Sequence, residues 1–347
     1  MTTEPEIAVG PTDTARRARS WMPWAALLVV YVVWGSTYLA IRVGVQTVPP
    51  LMLAAVRYLA AGALLYPVAV RLGGPRLRRT DRPGRKQWAG AAVVGLLLLT
   101  LGNGGLSYGE QSVESGLAAL LVATVPLWML GADRLLNGRV VTRRAAAALV
   151  LGLVGVAILA RPGPSGALPG LLVILAASAC WGVGSVLSGR LALPSRPLLG
   201  SAMEMLVGGA ALLVLSVVTG EWSGFRLDQV SPSAVAALLY LIGPGSLLAL
   251  SCYVVALQQL PTSTVSTYAF VNPLVAVALG AWLLDEHLTL GTLVGAAVVT
   301  ASVALAITAR RRHGAADDRD QTRPGLRPGA AGRSSTVASG GAKPKRR

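Results

Sequence analysis

AAAALVLGLVGVAILA, residues 145–160, decides the fold. Viewed down a helix axis this stretch is apolar on every face, and it lacks the alternation of a barrel strand with one wet side. A helix with no polar face is at home in lipid, where its backbone groups satisfy one another. Working outward, runs of similar character recur along the whole chain between short polar breaks. Crossing about 30 Å of hydrocarbon takes roughly 20 helical residues. On that scale spans are expected at 24–44, 50–70, 88–108, 113–133, 145–161, 167–188, 197–218, 233–257, 263–284 and 288–309. The expected fold class is an all-α polytopic membrane protein with ten transmembrane helices.

Composition agrees with this. Of 347 residues, 53% are hydrophobic and 13% charged, far more apolar than one soluble core needs. The net charge of +16 would suggest nucleic acid in a soluble protein, yet the basic residues sit where membrane topology places them. Arg16, Arg17 and Arg19 precede the first span. The second connection carries Arg71, Arg76, Arg78, Arg79, Arg82, Arg85 and Lys86, the fourth Arg134, Arg139, Arg143 and Arg144, and the sixth Arg190 and Arg196. The odd connections hold or border only Arg42, Arg161 and Arg226. By the positive-inside rule the even connections and both termini are then cytoplasmic. The first apolar run is too long for a signal-peptide core and no small-residue cleavage pattern follows it, so it should stay as a helix. From Arg310 to Arg347 the chain turns to Gly, Pro, Arg, Ser and Asp, with eleven basic and three acidic residues. That segment is expected to be a disordered tail attracted to anionic lipid.

Sliding the sequence on itself by 147 residues aligns Trp34-Gly35 with Trp181-Gly182, Pro50 with Pro197, Gly62 with Gly209, Gln111 with Gln258, and Pro126 with Pro273. Proline inside an apolar span is unusual enough to be informative. The pattern points to an old duplication. Five spans per half is an odd number, so the second copy enters the membrane from the opposite side, giving two inverted five-helix repeats. Such repeats are a common way to build secondary transporters. The expected domains are a cytoplasmic N-terminal tail (1–22), a first repeat (23–162), a second repeat (163–309) and a basic cytoplasmic tail (310–347).

Trp34-Gly35-Ser36-Thr37-Tyr38-Leu39-Ala40-Ile41-Arg42, Arg57-Tyr58, Ser115-Gly116, Val122-Ala123-Thr124-Val125-Pro126, Glu204-Met205-Leu206 and Tyr268-Ala269-Phe270-Val271-Asn272-Pro273 together resemble the EamA-type drug/metabolite transporter (DMT) superfamily, and within it the YedA-like exporters. The resemblance covers roughly residues 24–309. It implies ten helices, export of small metabolites or drugs, and a central cavity between the halves. Members often carry an acidic residue where the fourth and ninth spans end. Asp285-Glu286 keeps it in the second half, whereas the first half has Gly138-Arg139.

A charge inside a span costs about 2.5–3.5 kcal/mol on insertion scales, so each one asks for a partner or a cavity. Arg57 and Glu204 occupy equivalent positions in the two repeats, and inversion places them toward opposite sides, so direct pairing is not expected. Their functional reading is an anion contact for Arg57 and a proton or cationic-substrate site for Glu204. The structural reading makes both polar cavity walls or helix-end caps. Glu110, following Asn103 and Tyr108, either guards an outer mouth or lies at the lipid interface. Rings supply apolar area and amides fix orientation in a cavity for mixed solutes. The substrate-binding candidates are Trp34, Tyr38, Asn103, Tyr108, Trp181, Tyr253, Tyr268 and Asn272, although interfacial belts account for many membrane tryptophans. Asn272 stands beside Pro273, and Gly243-Pro244-Gly245 predicts a break in the eighth span.

Enzyme chemistry is not expected. The two histidines, His287 and His313, lie in a short connection and the tail, with no Cys/His cluster, and no Gly-x-x-x-x-Gly-Lys-Ser/Thr loop occurs. Cys180 and Cys252 read as packing residues. No cofactor and no metal are called for. The expected partners are the lipid bilayer and a small-molecule substrate, not nucleic acid, with a homodimer left open. The reading is an inner-membrane secondary transporter that exports amino-acid-like or cationic solutes by proton-coupled alternating access. The alternatives are a facilitative exchanger or channel-like permease and, less well supported, an intramembrane enzyme.

Overall fold

The computed structural model describes residues 13–71, 83–138, 143–159, 167–260, 262–265 and 267–321. Arg76, Arg78, Arg79, Arg82, Arg139, Arg161, the first twelve residues and the tail beyond residue 321 lie outside them. Among the described residues the regular structure is helical and includes no strand. In chain order the helices are α1 (Asp13–Gly44), α2 (Pro50–Arg71), α3 (Arg85–Gly109), α4 (Ser115–Asn137), α5 (Arg143–Leu159), α6 (Ala167–Ser188), α7 (Pro197–Val218), α8 (Pro232–Gln259), α9 (Tyr268–Leu283, preceded by the single turn Thr262–Val265) and α10 (Leu290–Gln321). Of these, α1–α4 and α6–α8 are long and apolar enough to cross a membrane, while α5, α9 and α10 carry shorter apolar stretches.

Helix starts follow local chemistry. Proline stands at the first helical position of α2, α7 and α8, where its missing N–H costs nothing. Ser231 caps α8 by accepting from the Ala234 N–H at 3.1 Å. The start of α2 is capped from another part of the chain, the Glu221 carboxylate accepting from the N–H groups of Leu51 and Met52 at 3.1 and 3.0 Å. Glu286 does the same for α4, accepting from the Ser115 and Gly116 N–H groups and the Ser115 hydroxyl. A carboxylate suits a helix N-terminus because four donors there lack intrahelical partners.

These contacts gather the connections into two groups. Glu221, Glu286, and Arg42, which donates to the Glu110 carbonyl, tie together the α1–α2, α3–α4, α7–α8 and α9–α10 connections, here called the acidic end. At the other, basic end, Arg190 donates to the Leu136 carbonyl at the close of α4, and Arg196 to the Ala69 carbonyl near the close of α2.

The core runs along the crossing of α2 and α7, where Leu51, Ala54, Ala55, Tyr58, Ala61 and Leu65 pack against Ala202, Met205 and Leu212. Lipid offers no hydrophobic drive between helices, so close backbone approach at small residues supplies the attraction. A Cβ at Gly62 would meet Leu206 and Met205, and one at Gly209 would meet Leu59 and Tyr58, all within 3.2 Å. Because 62 faces 205–206 while 209 faces 58–59, the two helices run antiparallel. Around this crossing α1 packs on α8 and α9 while α6 packs on α3 and α4, and α2 meets α8 as α7 meets α3.

Three features depart from expectation. Gly243-Pro244-Gly245 does not break α8: the helix continues through a widened stretch, Leu241–Leu248, with i→i+5 bonding. A matching widened stretch, Leu96–Asn103, lies in α3, where the sequence carries no proline to mark it. Finally, α10 continues as helix through Arg310–Gln321, where disorder was expected, because Ala and Arg there favour helix and no proline intervenes before Pro324.

Candidate functional site

A cavity of about 560 Å³ occupies the middle of the helix packing. Its wall runs from Leu106 and Ala119, toward the acidic end, to Ser185, Ser188 and Ser201, toward the basic end. Arg57 and Glu204 both line it.

Arg57 is buried on α2, its Nε donating to the Ser246 hydroxyl at 3.0 Å and its guanidinium lying 4.8 Å from the centre of the Tyr58 ring. Ser246 belongs to the widened stretch of α8. In the other half the equivalent of Ser246 is Leu99, which offers Glu204 no such bond. The antiparallel register of α2 and α7 sets Arg57 and Glu204 some six residues apart along the crossing, roughly 10 Å at 1.5 Å per residue. They do not pair; each presents its charge to the same space.

The cavity wall also carries three rings from three helices. Trp34 on α1 lies 5.1 Å from Tyr253 on α8 and 5.3 Å from Tyr268 on α9, and the two tyrosines are 5.8 Å apart and edge-on. Trp34 Nε1 donates to the Gly245 carbonyl at 3.2 Å. That carbonyl lies in the widened turn, where i→i+5 pairing (Ala249 N–H to the Pro244 carbonyl) leaves room for a side-chain donor. The aromatic wall and the irregular turn therefore hold one another.

Of the other sequence candidates, Tyr38, Asn103, Trp181 and Asn272 also line the cavity. The Asn272 amide, turned so that its nitrogen faces the carbonyls of Tyr268 at 3.2 Å and Tyr31 at 3.3 Å, ties α9 to α1. Tyr108 points away, 52% exposed on the outer surface of α3. Glu110 is fully buried just beyond the acidic end of the cavity. The structure adds Thr37, Ser246 and the serines Ser185, Ser188 and Ser201 to the polar wall. Nothing in the sequence pairs Ser246 with Arg57, which lies 189 positions away. No group of three or more His, Cys, Asp and Glu placed to hold a metal occurs among the described residues. Cys180 and Cys252 are half-buried and free.

A central cavity with opposed charges, enclosed by membrane-compatible helices, defines a protein that handles solutes inside a bilayer. The chain belongs to the EamA-like transporter family, which it matches twice, over residues 20–161 and 168–308. It is 39% identical to the inner membrane transporter YedA of Escherichia coli strain K12, itself named as uncharacterized, over 278 residues that cover 79% of this chain and 87% of that one. It is also 25% identical over 289 residues to a Salmonella typhimurium protein named as a probable amino-acid metabolite efflux pump, covering 80% of this chain and 92% of that one. A protein crystal structure of 19% identity shares the fold, with a TM-score of 0.56 over 85% of this chain and 99% of that chain.

Proposed function

We propose that this chain is a multi-pass inner-membrane exporter of small organic solutes bearing both an ammonium and a carboxylate, working by alternating access. One observation carries the reading: Arg57 and Glu204, unpaired with each other, face one cavity about 10 Å apart beside an aromatic wall. A solute carboxylate on Arg57 and its ammonium on Glu204 would satisfy both charges, and the Trp34, Tyr253 and Tyr268 rings would take its apolar part. The names of the Escherichia coli and Salmonella typhimurium relatives support an inner-membrane location and an amino-acid-like cargo. The family points away from enzyme activity.

In this reading the ten helices form two inverted five-helix repeats, residues 23–162 and 163–309. The antiparallel α2–α7 crossing with its reciprocal glycine contacts supports it, as does a packing pattern that maps on itself when the halves are exchanged. The positive-inside rule then puts the basic end and both termini in the cytoplasm. A cavity reaching Ser188 at the basic end, with the acidic end sealed by buried Leu106, Val113 and Ile41, corresponds to the inward-facing state. Transport is proton-coupled.

The test is uptake of labelled amino acids, cationic drugs and metabolites into inside-out vesicles, with and without an inside-acid gradient. Gradient-dependent accumulation of zwitterions, lost in Glu204→Gln, is the expected result. Accumulation that ignores the gradient would make the chain a facilitative exchanger. Equal uptake by Glu204→Gln would remove Glu204 from the solute site.

A further inference from the structure

Glu110 is the one acidic side chain among the described residues that is completely buried. Neither of its carboxyl oxygens meets a hydrogen-bond partner among them. It lies in the connection between α3 and α4, at the sealed acidic end, one helical turn beyond the cavity-lining Leu106. The groups that face it come from every side. Tyr38 and Arg42 approach from α1, Arg57 from α2, and Glu286 from the α9–α10 connection. Arg42 donates to the Glu110 backbone carbonyl rather than to its carboxylate. The Glu286 carboxylate is taken up by Ser115 and Gly116.

An ionised carboxylate enclosed without donors is among the most costly arrangements a protein can contain, whereas a proton removes most of that cost. Burial first, and then the nearby Glu286, hold the Glu110 carboxyl well above the usual carboxylate range, against the opposing pull of Arg42 and Arg57. A sodium ion would meet two guanidinium groups here, while a proton leaves a neutral group between them. Under the 147-residue offset Glu110 corresponds to Leu257, so the other half has no counterpart and the device serves one end only.

We propose that Glu110 is a proton-binding site built into the seal of the acidic end, separate from the solute cavity, and that this end closes only with a proton on Glu110. The proton is taken from the water that reaches Glu110 when the end is open. It leaves toward the cavity, and the carboxylate that remains pulls on Arg57, the residue assigned to the solute carboxylate. Proton release and solute capture thus meet at one side chain. The inference rests on the transport reading above.

The test uses the full chain in lipid nanodiscs, with Cys180 and Cys252 changed to serine and spin labels at Gln111→Cys and Ser223→Cys, both in exposed connections of the acidic end. Distances between the labels are measured at pH 5 and pH 9 without solute. The expected result is a closed population at low pH and at least a threefold gain of a longer distance at high pH. Glu110→Gln should remain closed at both pH values, and Glu110→Asp should keep the response. A wild-type distribution indifferent to pH, an unchanged response in Glu110→Gln, or opening driven by sodium at fixed pH would each overturn the proposal. Binding of a labelled amino acid at fixed pH separates the two readings. Its absence in wild type defeats the transport reading, while the label distances still decide on Glu110.

Discussion

Alanine at Gly62 or Gly209 tests the crossing on which the site is built. An added Cβ at Gly62 would sit 3.0 Å from the Leu206 side chain and 3.1 Å from the Leu206 amide nitrogen. At Gly209 it would sit 2.9 Å from the Leu59 amide nitrogen and 3.0 Å from the Leu59 side chain. Both are about half an ångström short of ordinary contact, and in both the obstacle includes backbone, which cannot swing aside. Overpacking of this kind costs about 1–3 kcal/mol. Each single substitution is therefore expected to destabilise by that amount, and by similar amounts, because the two contacts are reciprocal. The double variant is expected to cost less than the sum, by at least about 0.5 kcal/mol, since both methyl groups part the same two helices. Unfolding by titrated detergent in mixed micelles, followed by far-ultraviolet circular dichroism, measures all three. One neutral single variant beside one costing more than 2 kcal/mol, or strict additivity, would refute the reciprocal crossing and with it the main packing support for inverted repeats.

Two further outcomes follow from named contacts. Ser246→Ala removes the 3.0 Å anchor of Arg57, and a hydrogen bond to a charged group is worth about 1.5–3 kcal/mol, so carboxylate-bearing solutes should bind roughly tenfold or more weakly while solutes without an anionic group bind as before; an equal loss for both classes would mean that the serine only supports packing. Glu286→Gln takes the charge from the cap on α4 and should cost about 1–3 kcal/mol in the same unfolding assay, and wild-type stability would show that the cap contributes nothing.

Much of the fold was legible because lipid simplifies the code. The expected spans at 167–188 and 197–218 coincide with α6 and α7, where a loss of apolar character marks each end and Pro197 starts the second helix. Arg57 and Glu204 were legible for the same reason: an ionisable group stands out in an apolar run. What the pattern could not reveal is rotation. The widened stretch in α3 departs from 3.6 residues per turn, and each extra residue turns everything after it by about 100°. Tyr108 and Glu110, two residues apart and so about 200° apart around the axis, face outward and inward. Without a proline in Leu96–Asn103 there was little to announce it, while Pro244 in α8 announced a break where only a widening occurs. α9 starts at Tyr268, five residues after the expected onset, with the single turn Thr262–Val265 before it. The partners of Arg57 and of Glu286 come from the opposite half of the chain, beyond any local signal.

The small mismatches between the halves carry a consequence of their own. Two identical copies, facing opposite ways, would make the inward-facing and outward-facing conformations mirror each other and share the same free energy. The molecule would then rest half in each. In the proposed inverted-repeat transporter, Ser246 against Leu99, Arg57 against Glu204 and Glu110 against Leu257 would each lift that degeneracy. A bias of 1.4 kcal/mol is a tenfold preference. On that reading, a handful of divergent side chains would be enough to choose the resting direction and to leave a bound solute or a proton with a definite imbalance to reverse.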